Sequence, residues 1–273
     1  MTLIVTSSTR FATSADGTAI AHERKGAGPA LVLVDGALCR RGMGPSRGLA
    51  DALAESFTVY VYDRRGRGES DPGAAPYAVH REVEDLEAVI AAAGGHAHVL
   101  GVSSGAALAL EAARRGAPID RLVTYEAPFV VDGSRPANDP LLPQRVQDLV
   151  DEGRRGDAVR LFLRTVGAPA AVVSLMRLLP VWRQLTAVAH TLPYDLSIVI
   201  EHEQGRPIPE GHYAAVGQET LVLVGGKSPE WMRNAQAAVA AAVPRARLQS
   251  LPGQTHMVKP KAVAPVVAAF LQG

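Results

Sequence analysis

One cysteine, Cys39, is the whole thiol content of a 273-residue chain. That excludes an intramolecular disulfide framework and any multi-cysteine metal or iron–sulfur site, and it favours a reducing, cytoplasmic setting. An excess of one charge is also missing, because 28 Lys and Arg stand against 27 Asp and Glu for a net of +1. Beyond the short stretch Asp63-Arg64-Arg65-Gly66-Arg67 no basic cluster is available to neutralise a phosphate backbone, so nucleic acid is not an expected partner. The first residues, from Met1 to Ser8, lack the basic start and the long apolar core of a secretory signal. The longest stretch without a charge, 88–110, would reach across a bilayer, but Gly94-Gly95-His96 and His98 interrupt it. It reads as helix, turn, strand and turn, and no membrane partner is expected.

What is present is an alternation. Two extended segments, 10–13 and 19–24, flank the turn signal Ala15-Asp16-Gly17 and predict a hairpin. Continuous apolar runs at 30–34 and 57–62 have the length and composition of buried strands, and helical spacing fills 45–55 between them. A longer helix is predicted at 78–93, with acids near its start and an apolar stripe through Val83, Leu86, Val89 and Ile90. A strand at 97–100, a helix at 104–115 and a strand at 121–126 continue the pattern. The fold class this predicts is α/β, a mostly parallel eight-stranded sheet flanked by helices. From 131 to 216 the chain turns helical and irregular, with helices at 141–153, 156–166 and 170–179 punctuated by Pro169, Pro180, Pro193, Pro207 and Pro209. The alternation resumes with a strand at 219–224, a helix at 230–243, a strand at 247–251 and a helix at 259–271. The expected organisation is a core of 1–130 and 217–273 carrying an inserted helical cap, or lid, of 131–216.

The strand that ends at Leu100 runs into Gly101-Val102-Ser103-Ser104-Gly105 and then directly into a helix. That is a G-x-S-x-G nucleophile elbow in its strand–turn–helix setting, with Ser103 as the residue that has glycines on both flanks. A serine hydroxyl is a poor nucleophile until a base takes its proton. Of the eight histidines, His256 lies just past the last predicted strand and before the last helix, where such a base belongs. His98 falls inside the strand leading to Ser103, as a support for the elbow. His22, His80, His96, His190, His202 and His212 read as surface or satisfied polar residues.

The ordered set Asp35-Gly36, Asp63-Arg64-Arg65-Gly66-Arg67-Gly68-Glu69-Ser70, Gly101-Val102-Ser103-Ser104-Gly105 and Gly253-Gln254-Thr255-His256 resembles the α/β-hydrolase fold superfamily over nearly the whole chain. In that superfamily the third triad member, a carboxylate, usually follows the seventh strand, but here the loop reads Gly225-Gly226-Lys227-Ser228-Pro229 and Ser228 stands in its place. The alternative position is the end of the sixth strand, where Tyr125-Glu126 offers Glu126; Glu230 is a reserve, on a helix that should point it away. A glutamate there is similar to zearalenone-type lactonases and some haloalkane dehalogenases. Dehalogenases and epoxide hydrolases carry an aspartate nucleophile, so Ser103 argues against both.

The resemblance implies a cofactor-free serine hydrolase acting on an ester, lactone or similar acyl bond, with a catalytic triad of Ser103, His256 and Glu126. The oxyanion hole is expected from the backbone amides of Ser104 and Ala37, with Leu38 as the second choice to Ala37. Asp35 precedes that loop; a carboxylate aimed at the oxyanion would oppose catalysis, so it is expected to turn inward and accept bonds from loop amides or an arginine. The segment from Asp63 to Ser70 reads as a glycine-rich turn tied by ion pairs beside the site, and Cys39 as a small pocket-side residue. Leu38, Val102, Phe129, Leu175, Trp182 and Met257 are the expected substrate-binding residues, for a hydrophobic small molecule. No metal is expected, and a second copy of the chain is the one macromolecular partner left open. Two other functions share these features: a transferase, cyclase or lyase on the same site, and a non-catalytic ligand-binding member of the fold.

Overall fold

The computed structural model describes residues 8–273, and the expectation drawn from the N-terminal residues through Ser7 lies outside the described residues. Eight strands form one sheet: β1 (Arg10–Thr13), β2 (Ala19–Lys25), β3 (Ala30–Val34), β4 (Thr58–Tyr62), β5 (Ala97–Val102), β6 (Ile119–Tyr125), β7 (Glu219–Gly225) and β8 (Ala246–Leu251). Their order is β1-β2-β4-β3-β5-β6-β7-β8, antiparallel where β1 meets β2 and β2 meets β4 and parallel from β4 onward. The predicted hairpin is the antiparallel edge. The predicted alternation is the parallel part, whose central strands read as unbroken apolar runs because both faces are covered.

The helices that cover it are α1 (Ser46–Leu53), α2 (Val79–Ala92), α3 (Ser104–Arg114), α9 (Glu230–Ala242) and α10 (Pro260–Gln272). Alternate residues of β3 enter opposite cores, as a pleated strand requires. Leu31 and Leu33 pack with Leu49 and Leu53 of α1 and Val263 and Val267 of α10. Val32 and Val34 belong to a continuous cluster on the other face that also holds Leu86 of α2, Leu108 of α3 and Val239 of α9. Helix α3 is buried from Ser104 through Leu110, which explains why its sequence has no polar face there.

Between β6 and β7 the elements are helical: α4 (Leu142–Asp151), α5 (Arg155–Thr165), α6 (Ala170–Met176), α7 (Pro180–Ala187) and α8 (Leu192–Val199), with two short 3₁₀ turns. Leu142, Val146, Val159, Leu185, Leu192 and Leu196 give these helices a core of their own, into which Leu38 also packs. The sequence pattern predicts the first three of them and misses α7 and α8. Pro180 and Pro193 read as breaks between elements, but each sits in the first turn of a helix, where a missing N–H costs nothing.

Candidate active site

Among the described residues, the non-glycine residues with positive φ are Leu38 (61°), Ser103 (57°) and Glu126 (52°). They follow β3, β5 and β6, which are neighbours in the sheet, so three strained positions stand side by side at its C-terminal edge. Such strain persists only where the surroundings enforce it, and it gathers at functional sites. The ladder does the enforcing: the Ser103 amide donates to the Tyr125 carbonyl at 2.9 Å and the Glu126 amide to the Leu223 carbonyl at 3.2 Å. Close packing beneath the elbow also requires its glycines. A Cβ on Gly105 would lie 2.2 Å from the Val34 carbonyl oxygen, and one on Gly101 would lie 2.4 Å from that of Gly105.

His256 follows β8 and reaches back over this edge. Its Nδ1 donates to Glu126 Oε2 at 2.8 Å, and its Nε2 lies 3.2 Å from Ser103 Oγ. The carboxylate is wholly buried, while the imidazole side chain remains 43 % exposed. The second carboxylate oxygen, Oε1, accepts the Gly225 amide at 2.7 Å and the Ser228 hydroxyl. Ser228, which stands in the β7 loop where the acid was first expected, is itself buried and donates to the carboxylate at the end of β6. Glu230, the reserve carboxylate, is exposed on α9. The loop that carries His256 is anchored by Tyr125, whose hydroxyl donates to the Thr255 carbonyl at 2.6 Å.

The two expected oxyanion amides face no competitor: among the described residues, neither the Ala37 nor the Ser104 N–H has a protein acceptor. Behind them lies the Asp63 to Ser70 turn, tied by ion pairs as the sequence suggests. Arg64, Arg65 and Arg67 are each at most 2 % exposed. Arg65 donates to both carboxylate oxygens of Asp85 through its Nε and Nη2, and Arg64 does the same to Glu82. Arg64 and Arg67 share Asp195 of α8, a residue the sequence did not mark. Burial pushes the Asp195 carboxyl up, but Arg67, Arg64 and the Ser104 hydroxyl outweigh it and hold it below the ordinary carboxylate range.

Asp35 is a correction in part. It is buried, as expected, but neither oxygen accepts a well-aligned bond from a loop amide or an arginine. Arg64 donates instead to its backbone carbonyl, and burial pushes the Asp35 carboxyl up to about 6. Cys39 is half-buried, and burial together with the Asp35 charge pushes its thiol up to about 12, which keeps it protonated and unreactive. His98 packs edge-on against Phe57 at 6.2 Å between ring centres. His22, expected at the surface or satisfied, is buried with Nδ1 unpartnered.

The expected substrate-binding residues separate. Leu38 and Val102 lie buried beside the strained strand ends, and Met257, next to His256, is 74 % exposed. Leu175 is exposed on α6, and Trp182 packs over the start of α5, its indole 3.7 Å from where a Gly156 Cβ would stand. Phe129 is the correction: it is 0 % exposed and its ring packs tilted against that of His202 at 4.5 Å between centres, so no part of it is open to a ligand. An open cleft of about 1030 Å³ lies elsewhere, lined by Arg40, Arg41, Arg47, Asp63, Glu69 and His190 among others and by no member of the Ser103, His256, Glu126 group. Among the described residues no cluster of His, Cys, Asp and Glu has the arrangement of a metal site, and no helix is long and apolar enough to cross a membrane.

Comparison with known proteins gives the family of the chain. Residues 31–266 match the model of the alpha/beta hydrolase family. The crystal structure of an alpha/beta hydrolase from Sphaerobacter thermophilus is 48 % identical over 96 % of this chain and 100 % of that one, with a TM-score of 0.88. A thermophilic esterase from Thermogutta terrifontis shares the fold at 21 % identity and a TM-score of 0.68, over 97 % of this chain and 98 % of that one. N-formylmaleamate deformylase of Pseudomonas putida is 38 % identical over 122 residues, which is 43 % of this chain and 45 % of that protein. The match thus spans less than half of the deformylase.

Proposed function

The chain belongs to the alpha/beta hydrolase family, and from that premise we propose that it cleaves an ester or lactone bond of a hydrophobic small molecule through a Ser103–His256–Glu126 triad. The observation that carries the reading is the unbroken relay from Ser103 Oγ through both nitrogens of His256 to the buried Glu126 carboxylate. With the Nδ1 proton held on Glu126, Nε2 is free to take the hydroxyl proton as Oγ attacks the substrate carbonyl. The tetrahedral oxyanion then sits between the Ala37 and Ser104 amides. His256 returns its proton to the leaving alcohol, and water repeats the sequence on the acyl-enzyme.

Met257 beside the base and the exposed Val172, Leu175, Leu178 and Leu179 of the helical insertion support an apolar substrate, with residues 131–216 as its cap. A second reading is favoured by the deformylase relative: the same triad would cleave the amide C–N bond of an N-formyl group. The test is a panel of p-nitrophenyl esters, lactones and N-formyl amides on the wild type, with formation of a covalent fluorophosphonate adduct as the control for nucleophile chemistry. Rate enhancement over the uncatalysed hydrolysis of the same compound that is at least tenfold greater for esters or lactones than for formamides supports the first reading. The reverse ratio supports the second, and an adduct without turnover of any of them supports transfer to an acceptor other than water.

A further inference from the structure

Asp195 lies 91 residues from Ser104 and 128 from Arg67 along the chain, yet it bonds to both. The Ser104 hydroxyl donates to Asp195 Oδ1 at 2.7 Å, and Arg67 Nη2 donates to Oδ2 at 2.5 Å. The other guanidinium nitrogen of Arg67, Nη1, donates to the Gly36 carbonyl at 2.8 Å and to the Cys39 carbonyl at 3.2 Å. Arg64 Nη1 completes the group with a 2.6 Å bond to Asp195 Oδ1. We propose that Asp195 is a positioning residue for the oxyanion hole, setting the aim of both of its amides from a helix outside the core. The inference rests on the hydrolase reading above and adds to it a residue that the motifs do not reach.

The argument is geometric. The Gly36 carbonyl and the Ala37 N–H belong to one planar trans peptide and point in opposite directions. Clamping the carbonyl oxygen therefore fixes where the amide points, and the guanidinium charge polarises that peptide toward a stronger donor. Arg67 also holds the far end of the turn at Cys39, so the loop cannot rotate about one contact. On the other side, Ser104 is the first residue of α3, and its own N–H is the second donor. Anchoring its side chain restrains the first turn of the helix at the residue after the nucleophile. Asp195 is the group that joins the two sides, and among the described residues it is the one carboxylate paired with Arg67.

Asp195 is 1 % exposed, so it reaches no substrate and acts through its neighbours. It belongs to α8, which is held to the core by Tyr194 stacked on Tyr77 at 4.0 Å between ring centres. The oxyanion hole is accordingly complete only while α8 is docked. A purely structural ion pair would affect stability alone. A positioning role affects the transition state more than substrate binding.

The experiment compares wild type with Asp195→Asn, with Ser104→Ala and with the charge-balanced pair Asp195→Asn and Arg67→Met, using p-nitrophenyl acetate turnover and phenylboronic acid inhibition. The boronate forms a tetrahedral adduct whose oxygen occupies the hole, so its affinity reports the aim of the amides. In Ser104→Ala kcat is expected to fall by roughly tenfold, and in the Asp195 variants by roughly tenfold to a hundredfold. KM should change by less than about twofold, and boronate affinity should fall in step with kcat. Should Asp195→Asn fail to fold, because it leaves Arg67 unpaired, Ser104→Ala and the balanced pair decide the question. Variants that keep the wild-type kcat per folded molecule overturn the inference alone. A wild type that takes no fluorophosphonate at Ser103 overturns the hydrolase reading and this inference with it.

Discussion

The Ser228 hydroxyl donates to Glu126 Oε1, the carboxylate oxygen that His256 leaves free. On the proposed triad, the pair accounts for an acid at the end of β6 rather than β7. The carboxylate is wholly buried, and the β7 loop supplies the donors, Ser228 and the Gly225 amide, that make burial of its second oxygen tolerable. Replacing Ser228 by Ala should lower kcat by roughly tenfold to a hundredfold with little change in KM, the effect of one lost hydrogen bond to a charged group. The exchange Glu126→Gln with Ser228→Asp should recover part of the activity that Glu126→Gln loses alone. Steady-state kinetics on one ester checks both, and a doubly exchanged enzyme no better than Glu126→Gln contradicts the shared-site account.

Tyr125→Phe removes the 2.6 Å bond to the Thr255 carbonyl and leaves the packing intact. The cost to stability should be about 1 kcal/mol, and kcat should fall several-fold because the His256 loop loses its tether. Urea unfolding and kinetics on the same preparation separate the two effects. An unchanged kcat would show that the loop is held by its other contacts.

Much of this site was legible in the sequence because its signals are local. Ser103 lies at a strand–turn–helix junction written within a few residues, and His256 follows a strand and precedes a helix. The continuous apolar strands gave the sheet for the same reason. Asp195 and Ser228 were not legible in their roles. Each is a common polar residue whose meaning comes from a partner about 100 residues away, and no spacing rule reports such a pair. Phe129 failed differently, because an aromatic residue near a strand end looks the same whether it faces a ligand or the core. Asp35 was expected to find an arginine, and the arginines were there, but their charge goes to Asp195 and Glu82 and only backbone carbonyls of the loop are bonded.

Gly105 and Gly133 should respond oppositely to alanine. At Gly105 the new Cβ collides with the Val34 carbonyl at 2.2 Å, backbone against backbone, and the cost should be roughly 3 kcal/mol or more. At Gly133 it meets nothing within 4 Å, so the change should lie within about 1 kcal/mol of neutral. Denaturant melts of the two variants check the contrast, and similar melts would contradict the close packing inferred under the elbow.

His202 and Glu203 are adjacent residues with opposite pH dependence. Burial pushes Glu203 up to about 7, against a bond from Asn138, and burial pulls His202 down to about 4, with His212 adding to the shift. A raised carboxyl stabilises the fold below its unfolded value near 4.5, and this contribution is lost as pH rises through 7. A depressed imidazole contributes above its unfolded value near 6.5, and this is lost as pH falls toward 4. In Glu203→Gln the first loss disappears, so stability at pH 8 relative to pH 5 should rise by on the order of 2 kcal/mol against wild type. Urea unfolding across this range tests it, and a profile parallel to wild type contradicts it.

The central claim is that Ser103 is the nucleophile of a Ser103–His256–Glu126 triad. Its most direct test is peptide-mapped mass spectrometry of the adduct formed with a fluorophosphonate. The account predicts one adduct, on Ser103, absent in Ser103→Ala and formed orders of magnitude more slowly in Glu126→Gln. An adduct on Ser104 or another residue, or ester hydrolysis retained in Ser103→Ala, would contradict it.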